Sequence, residues 1–424
     1  MANGFSKSEK IFFEDVLAGF DPNNVTSRNC KKYEPDMQAV ERSGLTVRRP
    51  IPMIADVTRG LDVSADYKDV IELTVPSTLA QNDIKNHAFT LNALELNDPT
   101  RRQRAAQAAS QGLAAEVDTD VSNRVINYGA LVATETGDFS NYDALSKGET
   151  MLMEREVPSS VIRSLILNPR MSRKMANELA SRATDNPRDR SAYERSALPP
   201  VGGFETMKSN VLTSLTGNAA TDILVNGAGQ FKTPTVFDGS NSSAADNRYM
   251  TLNVDSVAAA TLKNGDSFTI AGVNAVGMIT KKDTGQLQSF RVVAGGGTNA
   301  VTISPAIIPL DQTGTAFKKY ANVTSAPADN AAITILNTAN AQPSIFFAEP
   351  AVEIFHGKLA VDDLGPGVSI MRETTDSGIE IIFAKQGNVD NFSAKYRLTC
   401  WTSANVLDPC MAGIYLPGQA ASFG

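Results

Sequence analysis

The spacing of apolar residues changes several times along this chain, and each change predicts an element. In residues 6–20, Ile11, Phe12, Val16, Leu17 and Phe20 recur at helical spacing with Glu9, Glu14 and Asp15 among them, which predicts a short amphipathic helix. A helix of about 15 residues is marginal alone in water, so it needs a partner, either its own chain or another subunit. Asp21-Pro-Asn-Asn and Glu34-Pro-Asp then break the chain. From 47 to 78 the pattern becomes extended, with Val70-Ile-Glu-Leu-Thr-Val75 alternating and Pro50, Pro52 and Pro76 as punctuation. The polar tip at 56–69 carries Arg59, Asp62, Asp66 and Lys68. A two-stranded excursion of this length cannot bury both of its faces, so it is expected to lie on something else, such as a neighbouring molecule.

Asp98-Pro99 is a strong helix start, a side-chain cap followed by proline at the first helical position. Beyond it, residues 100–130 hold no proline, and Leu113, Val117, Val121 and Val125 form a stripe at steps of four. At 1.5 Å per residue, about 30 residues make a rod of roughly 45 Å. Arg101, Arg102 and Arg104 oppose the dipole in its first turn, so the sequence predicts either nearby carboxylates or phosphate, or a solvated charged face. Further helices are predicted at 143–155 and 172–183, and the arginine-rich stretch 186–195 reads as an exposed loop.

Between Glu205 and Glu349 there is no glutamate, although 18 are spread over the rest of the chain. That block carries short alternating runs such as Tyr249-Met-Thr-Leu-Asn-Val254, Ser267-Phe-Thr-Ile-Ala-Gly-Val273 and Ala300-Val-Thr-Ile-Ser304. The shift marks an inserted β module with about six strands, a small barrel or sandwich. Lys263-Asn-Gly-Asp266 predicts a hairpin with a type I′ turn, and Gly295-Gly-Gly297 another turn. The polar loop 238–247 should project into solvent or onto a partner. Strands are expected again near 345–355, 379–383 and 395–401.

With 424 residues, 42% of them hydrophobic, two or three domains are expected. A net charge of −7 and a pI near 5.1 argue against a dedicated nucleic-acid binder. Three cysteines (Cys30, Cys400, Cys410) form neither a disulfide framework nor metal-ligand spacing, and read as buried thiols in a reducing, cytosolic setting. The N-terminus lacks a signal-peptide core, and no stretch approaches the roughly 18 apolar residues of a membrane span. Only His87 and His356 are present, and there is no zinc-protease motif, nucleophile elbow or phosphate loop. The reading is therefore of a non-enzyme with no catalytic residue, metal or cofactor. An arm, an excursion, a long helix and an inserted β domain suit a protein that finishes folding by assembling.

Three regions carry a family resemblance. The first is Asp246-Asn-Arg-Tyr-Met-Thr-Leu followed by Leu262-Lys-Asn-Gly-Asp and Ile270-Ala-Gly-Val. The second is Tyr320-Ala-Asn-Val followed by Ile333-Thr-Ile-Leu-Asn. The third is Ile382-Phe-Ala-Lys-Gln-Gly387 with Tyr415-Leu-Pro-Gly-Gln419. In their order and spacing the chain resembles the major coat proteins of P22-like short-tailed phages. That resemblance implies an α+β HK97-like phage capsid fold with an inserted small β-barrel. Residues 1–47 would be the N-arm, 48–80 the extended loop on a neighbouring subunit, and 81–131 the peripheral domain, with its spine helix at 97–131. The axial domain would take 132–222, the insertion domain 223–342, and 343–424 would complete the axial domain and close the peripheral strands. The loop 238–247 would be an intercapsomer contact, with Asp238, Asp246 and Arg248 as its candidates, and Arg59, Asp62, Asp66 and Lys68 would serve in the extended loop.

The resemblance further implies pentamers and hexamers of this chain, a basic scaffolding protein met through Phe12, Glu14, Asp15 and Leu17, and a portal. The procapsid, assembled in the host bacterial cytoplasm, would expand around non-specifically contacted double-stranded DNA, without any membrane. A phage tail or adhesin-type β-rich module is the alternative that the β block alone allows, and a hydrolase is discouraged by the two histidines.

Overall fold

The computed structural model describes residues 5–35, 45–52, 54, 61–62, 64, 67, 70–92, 95, 98–182, 198–241, 245–255, 261–314, 317–359, 367–388 and 393–424. The chain divides into two compact units. The first holds 1–47, 77–122 and 353–405, and the second 48–76, 123–352 and 406–424.

Four α-helices run through the described residues: α1 (Lys7–Asn23), α2 (Pro99–Tyr128), α3 (Tyr142–Glu154) and α4 (Pro169–Arg182). Each starts on a side-chain cap. Ser6 and Glu9 form a reciprocal capping box on α1. Asp98 accepts the Thr100 N–H at 3.0 Å, Asn141 that of Ala144 at 2.9 Å, and Asn168 that of Met171 at 2.8 Å. The last of these starts α4 three residues earlier than the sequence suggested, because the proline after Asn168 sits inside the first turn.

In the first unit, α1 and the part of α2 up to Ser122 cover a six-stranded sheet. Its path is Lys31–Tyr33, Val352–His356, Ser393–Val406, Glu380–Asn388 and Val368–Thr374, and Ile84–Asn92 also pairs with Ser393–Val406. The predicted stripe of α2 is buried, with Leu113 and Val117 joined by Ala106, Ala109 and Ala114 in one core with Phe12, Phe13, Val16 and Phe20 of α1. The sheet contributes Ile379, Ile381, Phe383, Tyr396, Leu398 and Cys400 to that core. The strand expected over 345–355 is two strands, Ser344–Ala348 and Val352–His356, separated by a 3₁₀ turn that contains Pro350.

In the second unit a five-stranded mixed sheet has the order Leu131–Thr134, Ala412–Leu416, Ser344–Ala348, Arg163–Leu167, Glu205–Lys208. Tyr415 pins α3 to it, donating to the Leu145 carbonyl at 2.5 Å and accepting the Gly148 N–H at 3.0 Å. Only glycine fits at 148, since a Cβ there would lie 2.2 Å from the Tyr415 hydroxyl. The same unit contains a closed barrel, ordered Ser267–Val276, Asp283–Ala294, Ala300–Ser304, Met250–Asp255, Ile223–Val225, Ala332–Ile335. Closure leaves no open edge. Gly295 and Gly297, both at positive φ, turn Asp283–Ala294 into Ala300–Ser304 as expected.

The Asn-Gly signal was misread. Lys263–Asp266 closes a turn, but only Gly265 has positive φ, and the flanking segments do not pair as a hairpin. Its conformation is set by Asp266, whose carboxylate accepts from the Lys263 N–H at 2.7 Å, Asn218 at 2.6 Å and Asn337 at 2.9 Å. The extended pattern 47–78 becomes the pair Thr46–Pro50 and Thr74–Thr78, with Ile51 N–H adding a bond to the Leu73 carbonyl at 2.9 Å. Residues 70–73 are outside the strand despite their alternation.

Candidate functional site

A chain without a catalytic cluster that is expected to assemble acts through surfaces, so the chemistry of interest lies in the side chains that fix each candidate contact segment. The arm is fixed first. α1 buries Phe12, Phe13, Val16 and Phe20 in its own unit, with Leu17 partly buried beside them. Phe12 is thus committed within the subunit, while Glu14 is exposed and Asp15 partly so. Glu9, only 2% exposed, accepts from the Tyr396 hydroxyl at 2.6 Å and pairs with Lys385 at 2.7 Å. Burial pushes its carboxyl up, but the Lys385, Tyr396 and Ser6 hydrogen bonds outweigh this and hold it below the usual range.

A second buried carboxylate, Asp118, fixes the chain beyond α1. Its oxygens accept the N–H groups of Val25 (2.6 Å), Thr26 (3.1 Å) and Ser27 (2.8 Å). Of the first-turn arginines of α2, Arg101 pairs with Glu95 at 2.7 Å while its side chain stays exposed. Sequence reading passed over Asp118 and the ion pair of Glu9. The Ser6-x-x-Glu9 spacing was a readable cap signal, whereas nothing local marks Asp118.

Of the candidates in the polar stretch 56–69, Arg59, Asp66 and Lys68 lie outside the described residues. Asp62 is fully exposed and accepts the Ser64 N–H at 3.0 Å, a bond that holds its carboxyl low. Leu61, Tyr67 and Val70 are exposed by 104%, 83% and 74%. At the loop's base the Arg48 guanidinium sits 3.5 Å from the Phe237 ring centroid, and Tyr320 donates to the Ile71 carbonyl at 2.8 Å.

The candidates of loop 238–247 separate. Asp238 is exposed and caps its own turn, accepting from the N–H groups of Ser240 (2.9 Å) and Asn241 (3.1 Å). Asp246 and Arg248 form a two-pronged pair at 2.9 and 2.8 Å, and Arg248, 7% exposed, also donates to the Val406 carbonyl at 2.8 Å. The pair therefore holds the base of the loop within the chain, and Asp238 is the candidate that faces outward.

Two neighbouring residues at the end of α3 join the barrel to the five-stranded sheet. Buried Arg155 donates to the carbonyls of Val276 (3.4 Å) and Asn322 (3.3 Å), and the Glu156 carboxylate accepts the N–H groups of Ile279 and Thr280, both at 2.7 Å. Arg155, Lys281 and Asp408 line one crevice with Ile51, Leu73 and Ile308. Burial pushes Asp408 up and Lys281 down to about 8. Cys30, Cys400 and Cys410 are buried and form no disulfide, and burial raises the thiols of Cys400 and Cys410 to about 12. Among the described residues no group of three His, Cys, Asp or Glu side chains could hold a metal ion. No helix there is long and apolar enough to cross a membrane.

Comparison with known proteins follows from this architecture. A solved coat protein I-domain of CUS-3 is 46% identical, covering 28% of this chain and 99% of that one, with a TM-score of 0.24. A structure of Mycobacterium phage Che8 is 10% identical over 92% of this chain and 90% of that one, TM-score 0.43. The asymmetric unit of the bacteriophage PhiM1 mature capsid is 11% identical over 93% and 86%, TM-score 0.44. The family model described as "P22 coat protein - gene protein 5" matches residues 1–418. That match spans arm, long helix, barrel and closing strands alike, and by it the chain belongs to the P22 coat protein family, the structural subunits of a phage capsid.

Proposed function

We propose that this coat protein co-assembles with a scaffolding protein into pentamers and hexamers of a procapsid. The shell then expands as double-stranded DNA enters through a portal. The carrying observation is that Leu61, Tyr67 and Val70, in the stretch between the hydrogen-bonded Ile51 and Leu73, are the most exposed large hydrophobic side chains among the described residues. Three exposed apolar side chains in one segment fit a surface that a neighbouring copy covers. Arg59, Asp62, Asp66 and Lys68 would rim that contact. Exposed ion pairs contribute only about 0–1 kcal/mol each, but repetition in every subunit multiplies their effect on the shell.

Asp238 would meet another subunit from the barrel side, and Glu14 and Asp15 would face a basic scaffolding segment from the outer side of α1. Expansion would be a conformational switch in which subunit rotation and bending of α2 exchange one set of interfaces for another. Deleting 58–68 tests the carrying observation. The monomer should melt nearly as before, while electron microscopy of assembly reactions with scaffolding protein should find no shells or aberrant ones. An unfolded monomer would instead assign the loop to the core and overturn the reading.

A further inference from the structure

The carbonyl end of α2 finds its partners in the barrel. The last C=O groups of a helix have no intrahelical donors and carry the negative end of its dipole. α2 has no basic residue in its last turn to offset that, and Gly129 and Ala130 lead directly into the strand Leu131–Thr134. Three carbonyls here accept from barrel side chains. Arg291 donates to Ile126, Ser304 to Tyr128 at 3.0 Å, and Ser289 to Ala130 at 2.6 Å. The donors are at most 2% exposed, and Arg291 and Ser304 face each other in the pairing of Asp283–Ala294 with Ala300–Ser304. Arg291 is also bonded to Ser267, and the Tyr128 and Tyr249 rings meet at 5.7 Å.

Upstream, α2 is fastened differently, by the Asp118 carboxylate on Val25, Thr26 and Ser27 and by the contact of the Ser122 and Thr26 hydroxyls at 3.3 Å. Asn123 and Arg124, between the two fastenings, are partly exposed.

We infer that the barrel is the C-terminal cap of α2, so that residues 123–128 stay helical only while the barrel is seated on them, whereas the helix up to Ser122 is held independently. The barrel then controls a conformational element outside itself, and unseating it would release residues 123–128 of the long helix without releasing the rest. This does not rest on scaffolding or DNA packaging, because its test uses the unassembled chain.

Hydrogen exchange read by mass spectrometry on the full chain supplies that test. In the double variant Ser289→Ala with Ser304→Ala, which removes only two hydroxyls, amides 125–130 should exchange about tenfold faster, with 106–118 and the barrel strands unchanged. Arg291→Met should accelerate the same amides further. Unchanged exchange at 125–130 in the double variant overturns the inference. So does an acceleration spread evenly over 106–130, which would mean that the helix end has no separate cap. If Arg291→Met unfolds the barrel, the serine variant alone decides.

Discussion

The barrel and the core beneath α1 bury comparable sets of apolar side chains but draw them from different depths of sequence. The barrel core is mostly aliphatic and β-branched, including Ile223, Val225, Leu252, Val254, Ile270, Val292, Val301 and Ile303, and all of it comes from one continuous stretch of chain. The other core gathers residues from near positions 12–20, 106–117 and 379–400 around a stack of rings. Phe383 is at its centre, with centroids of Phe5, Phe12, Phe13 and Tyr396 within 5.3–5.6 Å. A core closed locally requires less loop-closure entropy before its contacts form than one whose parts lie hundreds of residues apart, and so forms more readily by itself. The barrel should therefore be separable, and the arm core should depend on everything between its parts.

Separation is the largest effect to test. Residues 223–342 expressed alone should show a β-type circular dichroism spectrum and a cooperative melt, and a disordered fragment would break the comparison at once. Phe383→Ala should cost the arm core about 3–5 kcal/mol. The fluorescence of Trp401, the single tryptophan, reads this in denaturant, while the barrel's exchange protection should hold. If both cores weaken together, they are not energetically distinct.

Glu9→Gln should cost roughly 1.5–3 kcal/mol, as expected of hydrogen bonds to a charged group. Because the native carboxyl of Glu9 is held below its ordinary value of 4.5, its contribution is complete above about pH 4.5 and is lost as pH falls further. Acid titration of wild type and variant should converge below that point, and parallel curves would count against the assignment. Smallest is Gly265→Val, which puts a β-branched residue at φ +88° and should lower the barrel's stability by about 1–3 kcal/mol without touching Trp401 fluorescence.

The same difference explains what could be read from the sequence. Barrel strands, the Gly295 turn and the stripe Leu113, Val117, Val121 and Val125 were legible because periodicity is local. The Lys263–Asp266 turn was not, since its conformation answers to Asn218 and Asn337, dozens of residues away. Asp118, Arg248 and Arg291 were beyond sequence reasoning for a related cause. Each is a charged side chain buried because a distant segment supplies backbone partners for it, and charge patterning alone assigns such residues to the surface. Arg248 was accordingly proposed as an outward contact, while its guanidinium turns inward to Asp246 and Val406.

The three cysteines gain a use from their burial. Cys30 and Cys400 belong to the first compact unit and Cys410 to the second, and none of the three is in a disulfide. A thiol held near a pKa of 12 is almost never a thiolate at neutral pH, so alkylation of Cys400 or Cys410 must wait for its surroundings to open. The chain thus carries a native clock for each half. The ratio of labelling rates at Cys400 and Cys410 reports which half opens first, in a free subunit or in a finished shell, with no probe to install.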